Sequence, residues 1–305
     1  MRETAVETVC WWLPDLSRFD RDHPVRALTA RADVLEPGPR GYLAGLAGYF
    51  ETGSELPAAA LTRQALVGDA ADALWLSADP AWVQPDLNGA RLLACGQLGL
   101  TPDEAQALAE PLLAVFAEAG MTLVVSTPDR WHLRLPPDTE LPVFAAPEQA
   151  LGEDVFEHLP PGAAGKRWRL LLNEAQILLH QHPVNRARRE RGLPPINSVW
   201  LWGGGCLPAG IRSRLSAVVG DDILLAALAQ RAGVTVHART PDRLAAAGAG
   251  TLIDLQDLPA EAIARDWWVA LAPLIRSRPI ALDFASGERL LHRPWHRLRV
   301  WRRRA

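Results

Sequence analysis

The chain has 305 residues, 49% of them hydrophobic and 22% charged, with a formal net charge of -3 at neutral pH. A chain of this length can bury a substantial core and on average forms about two domains. Its slight acidity excludes nucleic-acid binding driven by an overall positive surplus, and no segment approaches the ~18 uninterrupted apolar residues of a membrane span.

The start, Met1-Arg2-Glu3-Thr4, leads into a short apolar patch with no small-residue cleavage site, so it does not read as a signal peptide and the cytoplasm is the expected compartment. Residues 6–13 are apolar and β-branched enough to predict an opening strand, closed by a turn at Pro14-Asp15. Residues 42–50 predict a short helix, weakened by its glycines. Residues 73–77 and 90–95 predict strands on either side of a turn at Asp86-Leu87-Asn88-Gly89. A helix follows, with Thr101 as N-cap, Pro102 in first position and Asp103 and Glu104 in the first turn. Leu108, Leu112, Val115 and Phe116 form its apolar stripe, and Gly120 ends it. Residues 121–126 and 131–135 predict a hairpin, so 73–136 reads as a ββαββ unit.

Residues 136–161 form a proline-rich connector with a short helix at 147–151. The next helix covers 166–181, with Trp168, Leu171, Leu172, Ala175, Leu178 and Leu179 on its apolar face, and Pro183 ends it. Beyond Gly220 the pattern predicts a helix at 221–231, strands at 234–238 and 251–255, and a helix at 260–275. A hairpin at 280–284 and 289–291 and a last strand at 297–301 complete the chain. Alternating strands and helices argue α/β layering. The three cysteines, Cys10, Cys95 and Cys206, lack any paired spacing and suit buried thiols of a reducing compartment.

The most specific segment spans residues 172–205. Asn173, Gln176 and His180 stand at i, i+3 and i+7, on the helix face opposite the apolar stripe. Asn185, Arg186, Arg188, Arg189 and Arg191 crowd past the helix end, and an apolar strand then delivers Gly203, Gly204 and Gly205. Glycines let a backbone approach a ligand closely and arginines donate in pairs to carboxylate or phosphate, a combination suited to a phosphorylated acid. The plain alternative is a solvated helix face and a tight turn, since no P-loop or dinucleotide fingerprint is met.

The run Asn173-Glu174, His182-Pro183-Val184-Asn185, Arg186, Gly192-Leu193-Pro194-Pro195, Asn197 and Trp202-Gly203-Gly204-Gly205 resembles a stretch of archaeal-type cofactor-independent phosphoglycerate mutases. There it re-enters the catalytic domain after an inserted domain. The ββαββ unit looks like that insertion, including residues 86–91 and Arg130-Trp131-His132-Leu133. The RpfE-type regulatory proteins, which look like reduced bacterial relatives of these mutases, resemble nearly the whole chain. Their likeness is carried by Ala78-Asp79-Pro80, residues 86–94, Glu157-His158-Leu159-Pro160 and the long segment above. The resemblance implies an α/β fold, a reduced alkaline-phosphatase-like or mutase-like core of residues 1–70 and 150–305 with an inserted α+β subdomain at 71–149. It also implies an anion-binding surface for a phosphorylated small molecule, formed by Asn173, Gln176, His180, His182, Asn185, Arg186, Arg189, Asn197, Trp202, Gly203, Gly204 and Gly205.

In the mutases a serine is transiently phosphorylated while two divalent metals, manganese for example, are held by Asp and His. Here His23 and His132 precede the central segment and His237, His292 and His296 follow it, none in an Asp-His pair, so no metal or cofactor is assigned. Ser17 and Ser54 are the candidate serines, although neither stands in the mutase motif. Asp15 matches the mutase's first metal ligand by position and a turn-forming residue by context. His180 and His182 with Glu157 and His158 are an alternative metal set, which requires the helix to end by Gln181 because His-x-His on one helix points the rings about 200° apart.

Residues 289–304 carry seven arginines interleaved with Trp295 and Trp301, a composition open to an acidic partner or to the charged face of a final strand. Three functions stay open: a non-catalytic regulatory protein with a mutase-like anion pocket, an active metal-dependent phosphotransferase or phosphohydrolase, and an interaction module using the C-terminal arginines. The sequence favours the first, without membrane or nucleic-acid partner.

Overall fold

Val9 to Leu13 are five apolar residues, all buried, a pattern that fits a strand covered on both faces. The structure, a computed structural model, describes residues 8–53, 55–86 and 89–299. In chain order, β1 (Val9–Leu13) is followed by α1 (Pro24–Thr29), β2 (Asp33–Val34), α2 (Tyr42–Tyr49) and β3 (Phe50–Glu51). Next come α3 (Ala58–Leu66), β4 (Leu74–Asp86), β5 (Gly89–Cys95), α4 (Pro102–Glu118), β6 (Thr122–Thr127) and β7 (Arg130–Leu135). Two short turns of helix, α5 (Pro147–Ala150) and α6 (Val155–His158), lead to α7 (Gly162–His180), α8 (Pro183–Glu190) and β8 (Ser198–Gly205). The remainder is β9 (Arg212–Ser213), β10 (Ala217–Val219), α9 (Ile223–Arg231), β11 (Thr235–His237), α10 (Pro241–Ala245) and β12 (Thr251–Asp254). Then α11 (Ala260–Ala262) passes through a π turn into α12 (Trp268–Ser277), before β13 (Ile280–Phe284) and β14 (Arg289–His292).

The chain divides into two compact units, one of Met1–Ser54 with Ala209–Ala305, the other of Glu55–Pro208. In the first unit seven strands form a sheet ordered β11-β10-β12-β1-β13-β14-β2, and β3 pairs with β9 apart from it. Pairing is parallel from β11 to β13 and antiparallel for β14 and β2. Trp11, Leu13, Ile253 and Leu282 point to one face, where they pack with Phe19, Leu244, Leu271 and Leu274. On the other face Trp12 stacks on Tyr42 of α2. Helices thus cover both faces, and the unit is α/β.

The second unit is α+β. The 13-residue β4 pairs antiparallel with β7 at its start, β8 through its middle and β5 at its end. Pro80 falls between the last residue paired with β7 and the first paired with β5, where a missing N–H interrupts the ladder least. The expected stripe of α4 meets Trp168, Leu171, Ala175 and Leu179 of α7 in one core. Thr101 and Glu104 close a capping box at the start of α4, as the sequence predicts in part.

Several expectations need correction. The unit beginning near residue 71 does not stop at 149, because β8 completes its sheet and α7 lies on α4; residues 55–70 and 150–208 belong with it and not with the α/β unit. No strand follows β14 among the described residues: Pro294–Leu298 is a 3-10 turn. Pro294 favours that turn, and Arg293, His296 and Arg299 converge on Asp33. The helix expected over 260–275 is broken by the π turn at Ile263–Trp267. The arginine segment is itself a helix, α8, and is not uniformly solvated, since Arg188 is fully buried. Among the described residues no helix is long and apolar enough to cross a membrane.

Candidate functional site

In open parallel sheets ligands bind beyond the carboxyl ends of the strands, so the first unit is read there. β10 ends in Gly220-Asp221-Asp222, β11 leads to Arg239, β12 ends in Asp254 with Asp257 just beyond, and Asp283 lies near the end of β13. Arg239, buried, gathers the first group. Its guanidinium donates to both Asp257 oxygens at 2.6 and 2.7 Å and to the Asp254 main-chain oxygen at 3.1 Å, and it forms an ion pair with Asp221 at 3.4 Å. Its own backbone N–H donates to Asp221 at 3.0 Å. Asp222 caps α9 through Leu225 N–H at 2.7 Å and accepts from the Tyr42 hydroxyl at 2.5 Å.

Asp254 is 0% exposed. Burial, helped by the charges of Asp257 and Asp222, pushes its carboxyl up to about 8, so it holds a proton at neutral pH. One oxygen accepts from Gln256 N–H at 3.3 Å, and the other has no hydrogen-bond partner among the described residues. Gly220 permits this close packing, because a Cβ there would lie 2.9 Å from the Asp254 Cβ.

The register places Trp12 between Asp254 and Asp283, all on one face. Asp283 accepts from the Tyr49 hydroxyl at 2.8 Å and from Arg289 Nε at 2.9 Å, and Cys10 Sγ lies 3.4 Å from the Tyr49 oxygen. Burial first, then the Asp283 charge, raises the Cys10 thiol well above its ordinary value; burial likewise raises Tyr49, and both keep their protons. Ser17 sits exposed in the 3-10 turn Leu16–Arg18 after β1, and Ser54 lies outside the described residues.

The predicted anion surface belongs to the second unit and divides into internal and external residues. Asn185 is a buried latch: its amide donates to Leu179 O and Ile196 O at 2.7 Å each and accepts from Ile196 N–H at 2.8 Å. Asn197 bonds the backbone of Val83 in both directions, at 2.6 and 2.8 Å, beside a register shift in β4. Trp202 donates to Asp79 at 2.8 Å. Gly203, Gly204 and Gly205 let β8 pass close to its neighbours, since added Cβ atoms would lie 2.8 Å from Ala58, 2.6 Å from Leu141 and 2.7 Å from Pro57. His182 caps α8 through Val184 N–H at 3.3 Å. Asn173, His180, Arg186 and Arg189 are exposed, and Gln176 is half-buried.

Three polar centres in this unit have internal roles that the sequence reading does not assign. Asp79, buried, accepts from Arg130 at 2.7 Å, Trp131 N–H at 3.2 Å and Trp202. Arg188 donates to Leu98 O at 2.6 Å, Pro194 O at 2.9 Å and Glu104 at 3.1 Å, tying α8 to the start of α4. His132 lies between Ser126 at 2.7 Å and Thr62 at 3.0 Å, and burial, reinforced by Arg130 and Arg63, lowers its pKa to about 3. Their signals in the sequence are single polar residues inside strand or helix patterns, which spacing alone leaves indistinguishable from exposed ones.

No protein-family model matches the chain. A 62-residue stretch is 44% identical to a probable 2,3-bisphosphoglycerate-independent phosphoglycerate mutase of Geobacter sulfurreducens, covering 20% of this chain and 16% of that protein. A 67-residue stretch is 39% identical to the 2,3-bisphosphoglycerate-independent phosphoglycerate mutase of Methanothrix thermoacetophila, covering 22% and 17%. Part of this chain is phosphoglycerate-mutase-like. The match spans less than a fifth of the length of these curated relatives. Among solved structures, the cofactor-independent phosphoglycerate mutase from Thermoplasma acidophilum aligns over 94% of this chain and 90% of its own at 16% identity, with a TM-score of 0.42. The PH0037 protein from Pyrococcus horikoshii aligns over 94% and 87% at 13% identity, with a TM-score of 0.45.

A mutase-like pair of divalent metals needs several Asp and His side chains with free lone pairs. The carboxylates at this edge are largely committed elsewhere, and Asp254, which keeps one oxygen without a hydrogen-bond partner among the described residues, is held neutral by burial. Arg239 already engages Asp257 and Asp221, Tyr42 and α9 engage Asp222, and Tyr49 and Arg289 engage Asp283. His23 uses one ring nitrogen to cap α1 and the other to bond Ala260 O at 2.9 Å. Among the described residues no group of three His, Cys, Asp or Glu could hold a metal ion, and that includes the set around His180 and His182. Of the C-terminal arginines, Arg289, Arg293 and Arg299 are paired with Asp283 and Asp33, which removes them from a free basic surface.

Proposed function

We propose that this chain is an RpfE-type regulatory protein with a reduced phosphoglycerate-mutase-like, alkaline-phosphatase-like fold, and that it binds a small phosphorylated acid without metal-dependent turnover. One observation carries the reading: a buried guanidinium, Arg239, fills the space among the carboxylates at the carboxyl edge of the parallel sheet. A fixed cation there neutralises the acids, and a divalent ion would have to displace it against two short hydrogen bonds. The partial likeness to phosphoglycerate mutases supports a phosphorylated three-carbon acid as the class of ligand.

Calorimetry with 3-phosphoglycerate and related phosphoacids, alongside a turnover assay with and without manganese, tests it. Expected are heat of binding and no conversion. Manganese-dependent turnover that Ser17→Ala abolishes would overturn the reading.

A further inference from the structure

The carboxyl edge of the first unit's sheet also holds a cavity of about 70 Å³, lined by Trp12, Gly48, Tyr49, Asp283 and Arg289 among others. The space opens to solvent on one side, and its inner part admits a few water-sized groups. Two observations give it a chemical character. Trp12 is 2% exposed, yet no described residue hydrogen-bonds its indole N–H, whose edge lies beside Gly45 at the cavity wall. Arg289 donates to Asp283 through Nε alone, so its two terminal amino groups are unpaired among the described residues. Asp283 has both oxygens engaged. The unpaired side-chain N–H groups of Trp12 and Arg289 are donors.

The helix that roofs the cavity adds a third observation. Gly45 and Gly48 both lie inside α2, where glycine is disfavoured relative to alanine. Gly45 is required, because a Cβ there would lie 2.6 Å from the Trp12 ring. Gly48 is not required by packing: an added Cβ would meet nothing closer than Pro39 at 3.6 Å, an ordinary contact. Glycine at this position adds no side chain to the lining.

We infer that this cavity binds a small carboxylate of about four or five non-hydrogen atoms, its oxygens accepting from the Trp12 indole N–H and the Arg289 amino groups and its carbon resting on the Trp12 ring. Guanidinium donors suit a carboxylate because two parallel N–H groups match its two oxygens. The inference goes beyond the proposed regulatory function and stands or falls separately from it.

Saturation-transfer NMR on the full chain with acetate, glycolate and the uncharged isostere acetamide provides the test. Acetate and glycolate are expected to receive saturation and acetamide much less. Gly48→Val should remove the signal, and Gly48→Ala should weaken binding about tenfold while unfolding at or above the wild-type temperature, which shows the helix intact. An excess of 3-phosphoglycerate should not displace acetate. Equal saturation of acetamide, undiminished acetate binding in both Gly48 variants, or no binding of either acid to the wild type would overturn the inference. Displacement by 3-phosphoglycerate would also overturn it, because it would merge this cavity with the phosphoacid site, whereas manganese-dependent turnover would sink only the functional reading.

Discussion

Asp254 and Arg239 touch through the Asp254 main-chain oxygen, and their charges respond to burial differently. Asp254 has only one weak backbone donor and sheds its charge; Arg239 cannot deprotonate and draws carboxylates around itself. The Asp254 carboxyl moves from 3.8 to about 8 on folding, so between those values the native state binds more protons than the unfolded chain. Stability is then complete below the lower value and declines as pH rises toward the upper, by at most about 1.4 kcal/mol per pH unit. Denaturant unfolding of the wild type and of Asp254→Asn between pH 4 and 8 should show this slope flattened in the variant; parallel profiles would assign it elsewhere. Arg239→Ala should lose about 1–3 kcal/mol, because the buried Asp254 main-chain oxygen loses this donor, while Asp221 and Asp257 are about half exposed and stay solvated. Manganese should raise the melting temperature of Arg239→Ala and leave that of the wild type unchanged, since the variant frees Asp257 and Asp221 from the guanidinium.

At the scale of elements, the segment 172–205 is held by side chains that replace missing backbone pairing. Asn185 binds the end of α7 to the approach to β8, and Asn197 mends β4 where its register shifts. Asn185→Ala would leave the Leu179 and Ile196 carbonyls and an Ile196 N–H buried without that partner, a loss of about 3 kcal/mol. Asn173→Ala, on the exposed face of α7, should change stability by less than about 0.5 kcal/mol. Urea unfolding of the two variants separates a structural from a surface asparagine, and equal losses would contradict the latch.

For the whole molecule, chain continuity distinguishes the two units. Glu55–Pro208 is one uninterrupted stretch with its own core, including Leu108, Phe116, Trp131, Trp168 and Val199. The α/β unit draws β1 from the start of the chain and β10 to β14 from its end. A fragment of residues 55–208 should therefore fold alone and melt cooperatively, whereas 71–149, which lacks β8 and α7, should not. Circular dichroism melting of both fragments decides between the structural boundary and the one read from sequence.

What the sequence determined by itself was local and periodic. The α4 stripe with its Thr101 cap, the β6–β7 and β13–β14 hairpins and α9 follow from spacing that short-range forces enforce. Short, uniformly buried pieces carry no such period, and so β10, with three residues, and α3, buried over most of its length, appear only in the structure. A partial likeness to phosphoglycerate mutases was legible in the sequence, while the structural roles of residues 172–205 were not. Asn185, Asn197 and Trp202 resemble ligand groups as letters, and tertiary packing turns them inward because a buried backbone without partners is costlier than a lost contact with solvent. The carboxyl-edge cluster was hidden for the complementary reason: Trp12, Arg239, Asp254 and the Asp283–Arg289 pair of one hairpin lie far apart in the chain, and parallel pairing of β1 with β12 and β13 sets Trp12, Asp254 and Asp283 on one face.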